Sequence, residues 1–309
     1  EKALERSARE GTETSLEMPA WVIWPESSFP ISTFYRDSTG ERFPGQDNVN
    51  FLSTEEEYVQ AIRDRVCDFI LLTGTDDIYL SDEGRVARAY NCLTVFEGDY
   101  STAVPFAKAV LVPFGEYIPM RETFPFLEKA FEASAGTAMG MNYTPGTSVK
   151  VGVIPLVCFE DVVGSWVRRF VRPEPQVLVN VTNDGWFNRS WANEQHWRNA
   201  AFRCMELRRS MVRAANTGVS VALAPNGAVI ADLRDASGSP FTRGVMTATL
   251  PAGCTEVTLY AMLGDWAVPA CFLLFLALLV RRILASGRGA VREGVHNGVY
   301  RPERGATPR

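Results

Sequence analysis

Histidine is nearly absent from this sequence: the 309 residues include only two, His196 and His296. A metal site built from several histidines is therefore not expected. The six cysteines, at positions 67, 92, 158, 204, 254 and 271, form no CxxC pair, which argues against a zinc ribbon or a dithiol redox motif. Six scattered cysteines are also too sparse for a disulfide scaffold. We expect neither a metal ion nor a cofactor.

An excess of positive charge is also lacking. The chain has a net charge of -5 and a pI of about 5.3, which argues against a general nucleic-acid binder. Hydrophobic residues make up 46% and charged residues 22% of the sequence. These values are close to the average of globular proteins and exclude wholesale disorder.

Long apolar runs are missing except near the C-terminus. Fifteen uncharged residues end at Val280, and the stretch 281–309 then contains seven Arg and two Glu. A membrane span needs about 20 residues, which the run reaches when it is extended on both sides, as far as Leu284. Because basic residues collect on the cytoplasmic side, we expect 256–284 to be a transmembrane helix with its lead-in and 285–309 to be a disordered cytoplasmic tail. The alternative is a helix buried in a core.

Short apolar runs alternate with helical patterns through residues 1–255, and this alternation predicts a layered α/β fold in one domain. Strands are expected at 20–24, 69–74, 85–96, 149–158, 177–182 and 245–250. Helices are expected at 54–64 and 194–216, and Pro225-Asn226-Gly227 predicts a hairpin turn.

Three polar residues stand at the ends of apolar strands: Glu26, Lys108 and Cys158. Active sites of α/β sheets gather where strands end. A cysteine nucleophile needs a base, and with so few histidines a carboxylate is the available one. A lysine could stabilise both a thiolate and an oxyanion. Each residue also has an ordinary explanation, since Cys158 could be a small buried hydrophobe and Glu26 a surface charge.

Four local motifs occur in a fixed order: WPES at 24–27, KAVLVPFGEYIPM at 108–120, VCFED at 157–161 and NVTNDGWFNRS at 180–190. Together they resemble the nitrilase, or carbon–nitrogen hydrolase, superfamily. Within it, LVPFGEYIP, residues 194–220 and the terminal apolar helix resemble the apolipoprotein N-acyltransferases. The resemblance implies a nitrilase-like αββα sandwich over 1–255, followed by one C-terminal transmembrane helix.

The resemblance also implies roles for individual residues. Glu26 is expected to be the general base, Lys108 the electrostatic stabiliser and Cys158 the nucleophile. Glu116 matches a second acid that organises Lys108. Glu160 matches a further acid, although its position also suits a cap on the next helix.

Substrate contacts are expected from an aromatic group near the nucleophile. Phe159 stands where the family usually has Tyr. Asn183, Trp186 and Phe187 would form a wall of the acyl or amine pocket; alternatively, this segment only forms a turn. His196 is expected to be structural. The arginines between 198 and 213 are expected on a solvated or salt-bridged helix face, and the apolar residues near 114–126 would suit a lid that dips into lipid.

The activity implied is transfer of an acyl chain from a phospholipid, through a Cys158 thioester, to the diacylglyceryl-cysteine of an apolipoprotein. The family places membrane helices before this domain, so we expect residue 1 to be an internal start, with the first strand of the domain missing. The enzyme would lie in the bacterial inner membrane with its catalytic domain in the periplasm. Two alternatives stay open: an amidase or nitrilase that uses water as the second nucleophile, and a membrane-anchored binding protein on an inactive fold.

Overall fold

The computed structural model describes residues 21–28, 33–36, 69–83, 86–96, 104–120, 123–127, 152–251 and 254–296. Ten strands within these ranges form two five-stranded sheets. The chain divides into two compact units, Glu1–Met262 and Leu263–Arg309. Both sheets lie in the first unit.

The first sheet places the ends of two distant strands at one edge. Strands β1 (Trp21–Ile23) and β2 (Thr33–Arg36) both pair in parallel with β3 (Ile70–Leu80). Strand β4 (Val86–Phe96) pairs antiparallel with β3, and β5 (Val104–Ala107) pairs antiparallel with β4. Strands β1 and β5 therefore run in the same direction, so Glu26 and Lys108, which follow them, lie at the same edge.

The second sheet is parallel on the side that carries Cys158. Strands β6 (Val153–Val157), β7 (Val177–Asn183) and β8 (Met211–Asn216) are parallel neighbours. Strands β9 (Val221–Leu223) and β10 (Val229–Asp232) continue the sheet antiparallel and form the predicted hairpin. The carboxyl ends of β6, β7 and β8 thus open on one edge, the usual position of a site in such a sheet.

The two sheets face each other across an apolar core. Leu72, Leu93 and Phe106 of the first sheet belong to one buried cluster with Val157 and Val179 of the second. On the other face of the second sheet, helix α2 (Ala192–Leu207) buries its apolar side chains, and the short helix α1 (Gly164–Val167) lies between β6 and β7 in the chain. The expected α/β sandwich is confirmed for these three layers; the helix expected at 54–64 lies outside the described residues.

Two expected elements are wrong. The helix predicted over 194–216 ends at Leu207, because Arg208 adopts a left-handed backbone conformation with φ 51°. Residues 211–216 instead form β8, since pairing with β7 on one side and β9 on the other outweighs helical propensity. The segment 245–250, predicted as a strand, contains no regular secondary structure.

The C-terminal apolar run is helical. After the short α3 (Leu259–Leu263), helix α4 covers Ala267–His296. Its stretch Ala267–Ala285 has a mean hydropathy of 2.1, and none of it is buried, which contradicts the alternative of a core helix. By length and composition this stretch could cross a membrane.

Candidate active site

The three predicted residues follow strands that end at facing edges of the two sheets. Lys108 comes directly after β5, Cys158 directly after β6, and Glu26 three residues after β1. The charges of both Glu26 and Lys108 act on the pKa of the Cys158 thiol, so the three side chains lie within electrostatic range of one another. Two sets of hydrogen bonds between the sheets hold this arrangement.

Glu26 is buried and both of its carboxylate oxygens are occupied. Oε1 accepts a 2.5 Å hydrogen bond from Nδ2 of Asn91, and Oε2 accepts a 2.7 Å bond from the backbone N–H of Asn183, which lies in the second sheet. Burial raises the pKa of Glu26 above its ordinary value of 4.5, although the charge of Lys108 and these hydrogen bonds oppose the shift. A carboxylate of raised pKa whose charge acts on a nearby thiol suits a general base.

The Lys108 ammonium is only 1% exposed and is held by Glu116. Nζ donates a 2.6 Å hydrogen bond to Oε1 of Glu116, whose Oε2 accepts from the backbone N–H of Val112 at 2.9 Å. Burial lowers the pKa of Lys108, but the charges of Cys158, Glu26 and Glu116 outweigh it, so the net shift is upward. The lysine therefore stays charged. Its own backbone N–H donates to the carbonyl of Asn91 at 2.7 Å.

Cys158 lies on a sharp turn between β6 and the 3-10 helix Cys158–Val162. Its φ of 51° is in the left-handed region, which a non-glycine residue adopts only when its surroundings enforce it. Burial raises the pKa of the thiol to about 12, and the charge of Glu26 adds to this effect while Lys108 opposes it. The thiol is therefore neutral near pH 7 and depends on a base for activation.

Glu160 caps the turn of Cys158 and also reaches the other sheet. Its Oε2 accepts from the backbone N–H of Val157, the residue before the 3-10 helix, at 2.9 Å. Its Oε1 accepts from the N–H groups of Ala109 and Val110, at 2.7 and 3.0 Å. The capping interpretation accounts for one oxygen, and the other ties the segment after Lys108 to the turn of Cys158.

The segment after β7 forms the turn that is one of the two interpretations given for it. Oδ1 of Asn183 accepts from the N–H of Gly185 at 3.1 Å, so this residue does form a turn. Trp186 and Phe187 follow on a 3-10 helix and are 66% and 38% exposed, while Phe159 is half-buried. All three aromatic side chains are thus at least partly exposed.

Comparison with known proteins gives the family context. No protein-family model matches the chain. Apolipoprotein N-acyltransferase of Bradyrhizobium diazoefficiens is 34% identical over 280 residues, which cover 85% of this chain and 45% of that protein. Apolipoprotein N-acyltransferase 1 of Treponema pallidum is 32% identical over 289 residues, which cover 88% and 50%. The chain is a homologue of the apolipoprotein N-acyltransferases.

The chain spans about half the length of these apolipoprotein N-acyltransferases. Among solved structures, an E41Q mutant of an amidase from Nesterenkonia sp. AN1, with acrylamide added at its active-site cysteine, aligns with a TM-score of 0.43 at 15% identity. The alignment covers 77% of this chain and 81% of that one.

Sequence analysis of this N-acyltransferase homologue missed several polar residues that support the site. Asn91 binds Glu26 and Lys108, and Asn180 donates to the Cys158 carbonyl at 3.0 Å. A polar residue inside an apolar strand, as in VLVNVT, was the available signal. Of the arginines expected on a solvated or salt-bridged helix face, Arg203, Arg209 and Arg213 are buried and not solvated. Arg203 and Arg213 do form salt bridges, but Arg213 lies on β8 and not on a helix.

Buried charge also surrounds His196. This residue is 6% exposed and lies between Asp161 and Asp184, with nitrogen–oxygen distances of 3.1 and 2.9 Å. Arg213 pairs with both aspartates. Within the described residues, no group of three or more His, Cys, Asp or Glu side chains could hold a metal ion.

Proposed function

We propose that this chain carries the catalytic site of an apolipoprotein N-acyltransferase. The enzyme moves an acyl chain from a glycerophospholipid to Cys158, and then to the α-amino group of an N-terminal diacylglyceryl-cysteine. The observation that carries the proposal is the convergence of Glu26 and Lys108 on the Cys158 turn, in a chain homologous to these transferases.

In the first half-reaction, Glu26 takes the proton of the Cys158 thiol while sulfur attacks the carbonyl carbon of the phospholipid ester. The carbonyl oxygen becomes an oxyanion, which the Lys108 ammonium stabilises. When this intermediate collapses, the ester C–O bond breaks and the lysophospholipid oxygen takes the proton back from Glu26. The product is an acyl thioester on Cys158.

In the second half-reaction, the lipoprotein amine attacks the thioester carbonyl and loses a proton to Glu26. The C–S bond breaks, an amide forms, and the proton returns to the sulfur. Glu26 thus serves as base and acid in turn, which its raised pKa favours. Glu116 keeps Lys108 charged and in position through both steps, because its carboxylate is bonded to Nζ at 2.6 Å.

Exposed apolar side chains support a lipid substrate. Four large aromatic side chains are between 43% and 66% exposed: Phe114, Phe124, Phe126 and Trp186. Soluble monomers seldom expose many large aromatic side chains, so this exposure is consistent with a surface that contacts lipid. We assign Trp186 and Phe187, with Phe159 and Asn183, to the wall of the acyl or amine pocket.

We also propose a topology. The exposed apolar stretch Ala267–Ala285 crosses the inner membrane and is followed by Arg-rich sequence. Because arginines collect on the cytoplasmic side, residues 285–309 form a cytoplasmic tail and residues 1–255 a periplasmic catalytic domain. The span 256–284 then comprises the membrane helix and its lead-in.

Mass spectrometry of the full-length protein after incubation with phospholipid tests the function. The expected result is a mass increase of one acyl chain, located on the peptide that contains Cys158 and reversed by neutral hydroxylamine. Addition of a synthetic diacylglyceryl-cysteine peptide should discharge the thioester into an amide. Discharge that yields free fatty acid at the same rate without the peptide would support a hydrolase instead.

A further inference from the structure

The turn that carries Cys158 is stabilised by a hydrogen bond from the side chain of Asn180, which lies on the neighbouring strand β7. Asn180 is fully buried, and its Nδ2 donates to the carbonyl oxygen of Cys158 at 3.0 Å. This bond fixes the peptide that follows Cys158, whose φ of 51° is a strained conformation for a residue other than glycine.

The amide of Asn180 is useful to Cys158 only in one orientation, and Arg213 sets that orientation. Nη1 of Arg213 lies 3.1 Å from Oδ1 of Asn180. A guanidinium has donors and no acceptor, so the oxygen of the amide must face it. The NH₂ group then necessarily faces the Cys158 carbonyl.

Arg213 also holds the turn at its other end. Nη1 donates to Oδ2 of Asp161, which lies three residues after Cys158 in the same 3-10 helix. Nη2 donates to Oδ2 of Asp184 at 3.0 Å. The residue before Asp184 is Asn183, whose backbone N–H donates to the carboxylate of Glu26. One buried guanidinium therefore touches the supports of both the nucleophile and the base.

We propose that Arg213 and Asn180 are positioning residues: the guanidinium orients the Asn180 amide, and the amide holds the backbone of Cys158 in the reactive turn. Neither side chain contacts the reacting atoms. The inference rests on the proposed role of Cys158 as nucleophile and adds the groups that place its sulfur between Glu26 and Lys108.

The test uses Asn180→Asp in the full-length protein. An aspartate keeps the size of the side chain and still accepts from Arg213, but it cannot donate to the Cys158 carbonyl. Gln176→Glu is the matched control, because Gln176 is also a buried amide whose two hydrogen bonds, at 2.7 and 3.0 Å, go to the backbone of the segment 170–172. Arg213→Lys is the second variant, since a lysine keeps the charge but loses the fork that reaches several partners.

Two rate constants are measured on folded protein. A variant with fewer folded molecules then gives a smaller total amount of product, but the rate constant of the folded molecules is unchanged. The first is acyl-thioester formation at saturating phospholipid. The second is alkylation of Cys158 by iodoacetamide between pH 6 and 10, located by peptide mass spectrometry. Both should fall at least about tenfold in Asn180→Asp with little change in KM, because a displaced sulfur is no longer aligned with its base. The control should stay within about threefold of wild type.

Rates for Asn180→Asp equal to those of Gln176→Glu would overturn the proposal. If Asn180→Asp does not fold, Arg213→Lys decides by the same criterion, and an unchanged alkylation profile in that variant counts against us. Failure of the wild-type protein to form a thioester would overturn the proposed function alone. The alkylation rates would still show whether Asn180 and Arg213 place the sulfur.

Discussion

Replacement of Gly74 by alanine should disable the site without a change to any polar group. Strand β3 passes so close to the Glu26 segment that a Cβ at Gly74 would lie 2.5 Å from Cα of Glu26 and 2.8 Å from the backbone nitrogen of Ser27. Ordinary contact begins near 3.4 Å, so the two backbones must separate by about 0.9 Å. The peptide N–H of Gly74 also donates to the carbonyl of Pro25 at 3.3 Å, and this bond would be lost or stretched.

A displacement of this size carries the Glu26 carboxylate away from Cys158. A misplacement of about 1 Å can cost on the order of 100-fold in rate, whereas overpacking of this kind costs about 1–3 kcal/mol of stability. We therefore expect Gly74→Ala to fold with a lowered Tm and to form the acyl thioester about 100-fold more slowly than wild type.

The control is Gly244→Ala, where the atoms nearest to the new Cβ all belong to the side chain of Leu233, with Cδ1 closest at 3.0 Å. That side chain can move, so we expect rates close to wild type. The assay is the time course of thioester formation on Cys158, followed by mass spectrometry, with Tm measured in parallel. Equal rates for the two variants would refute the steric argument.

Three further changes test the chemistry and the topology. Cys158→Ser should abolish the thioester and turnover while Tm changes little, since a serine is a much poorer partner for a carboxylate base; turnover within tenfold of wild type would contradict the assignment. Because burial raises the pKa of Glu26, its ionised form is lost as pH falls through a value above 4.5, so the acid limb of kcat/KM against pH should lie above pH 4.5. Glu116→Gln removes a charge that raises the pKa of Lys108, so the basic limb of the same profile should move to lower pH. If the limb does not move, the titration of Lys108 does not control the rate. A cysteine at Ser286 should resist a membrane-impermeant thiol reagent in intact cells, and labelling before the inner membrane is broken would reverse the topology.

The pattern of apolar strands singled out Glu26, Lys108 and Cys158 as candidates, and the four ordered motifs supplied the roles expected of them. Glu26, Lys108 and Cys158 are polar residues at points where an apolar run ends, and strands that run in the same direction bring such points to the same end of a sheet. The hairpin at Pro225-Asn226-Gly227 was also predictable, since its turn residues act locally. Features of this kind depend on neighbouring residues in the sequence, so they can be predicted without knowledge of the tertiary structure.

The end of helix α2 could not be predicted in the same way. Residues 208–216 have a composition that a helix tolerates, and the strand β8 exists only because β7 and β9 offer it hydrogen-bond partners. The same error placed Arg213 on a helix face. Once the segment is a central strand, its side chain points into the protein and meets Asp161, Asp184 and Asn180.

The carboxylate of Glu160 makes the site dependent on both sheets at once. Its two oxygens hold backbone N–H groups on either side of the interface, at Val157 and at Ala109 with Val110. A chain with only one sheet formed would leave this carboxylate without half of its partners and Cys158 without Lys108. The arrangement of Cys158 relative to Lys108 therefore requires that both sheets have formed and packed against each other.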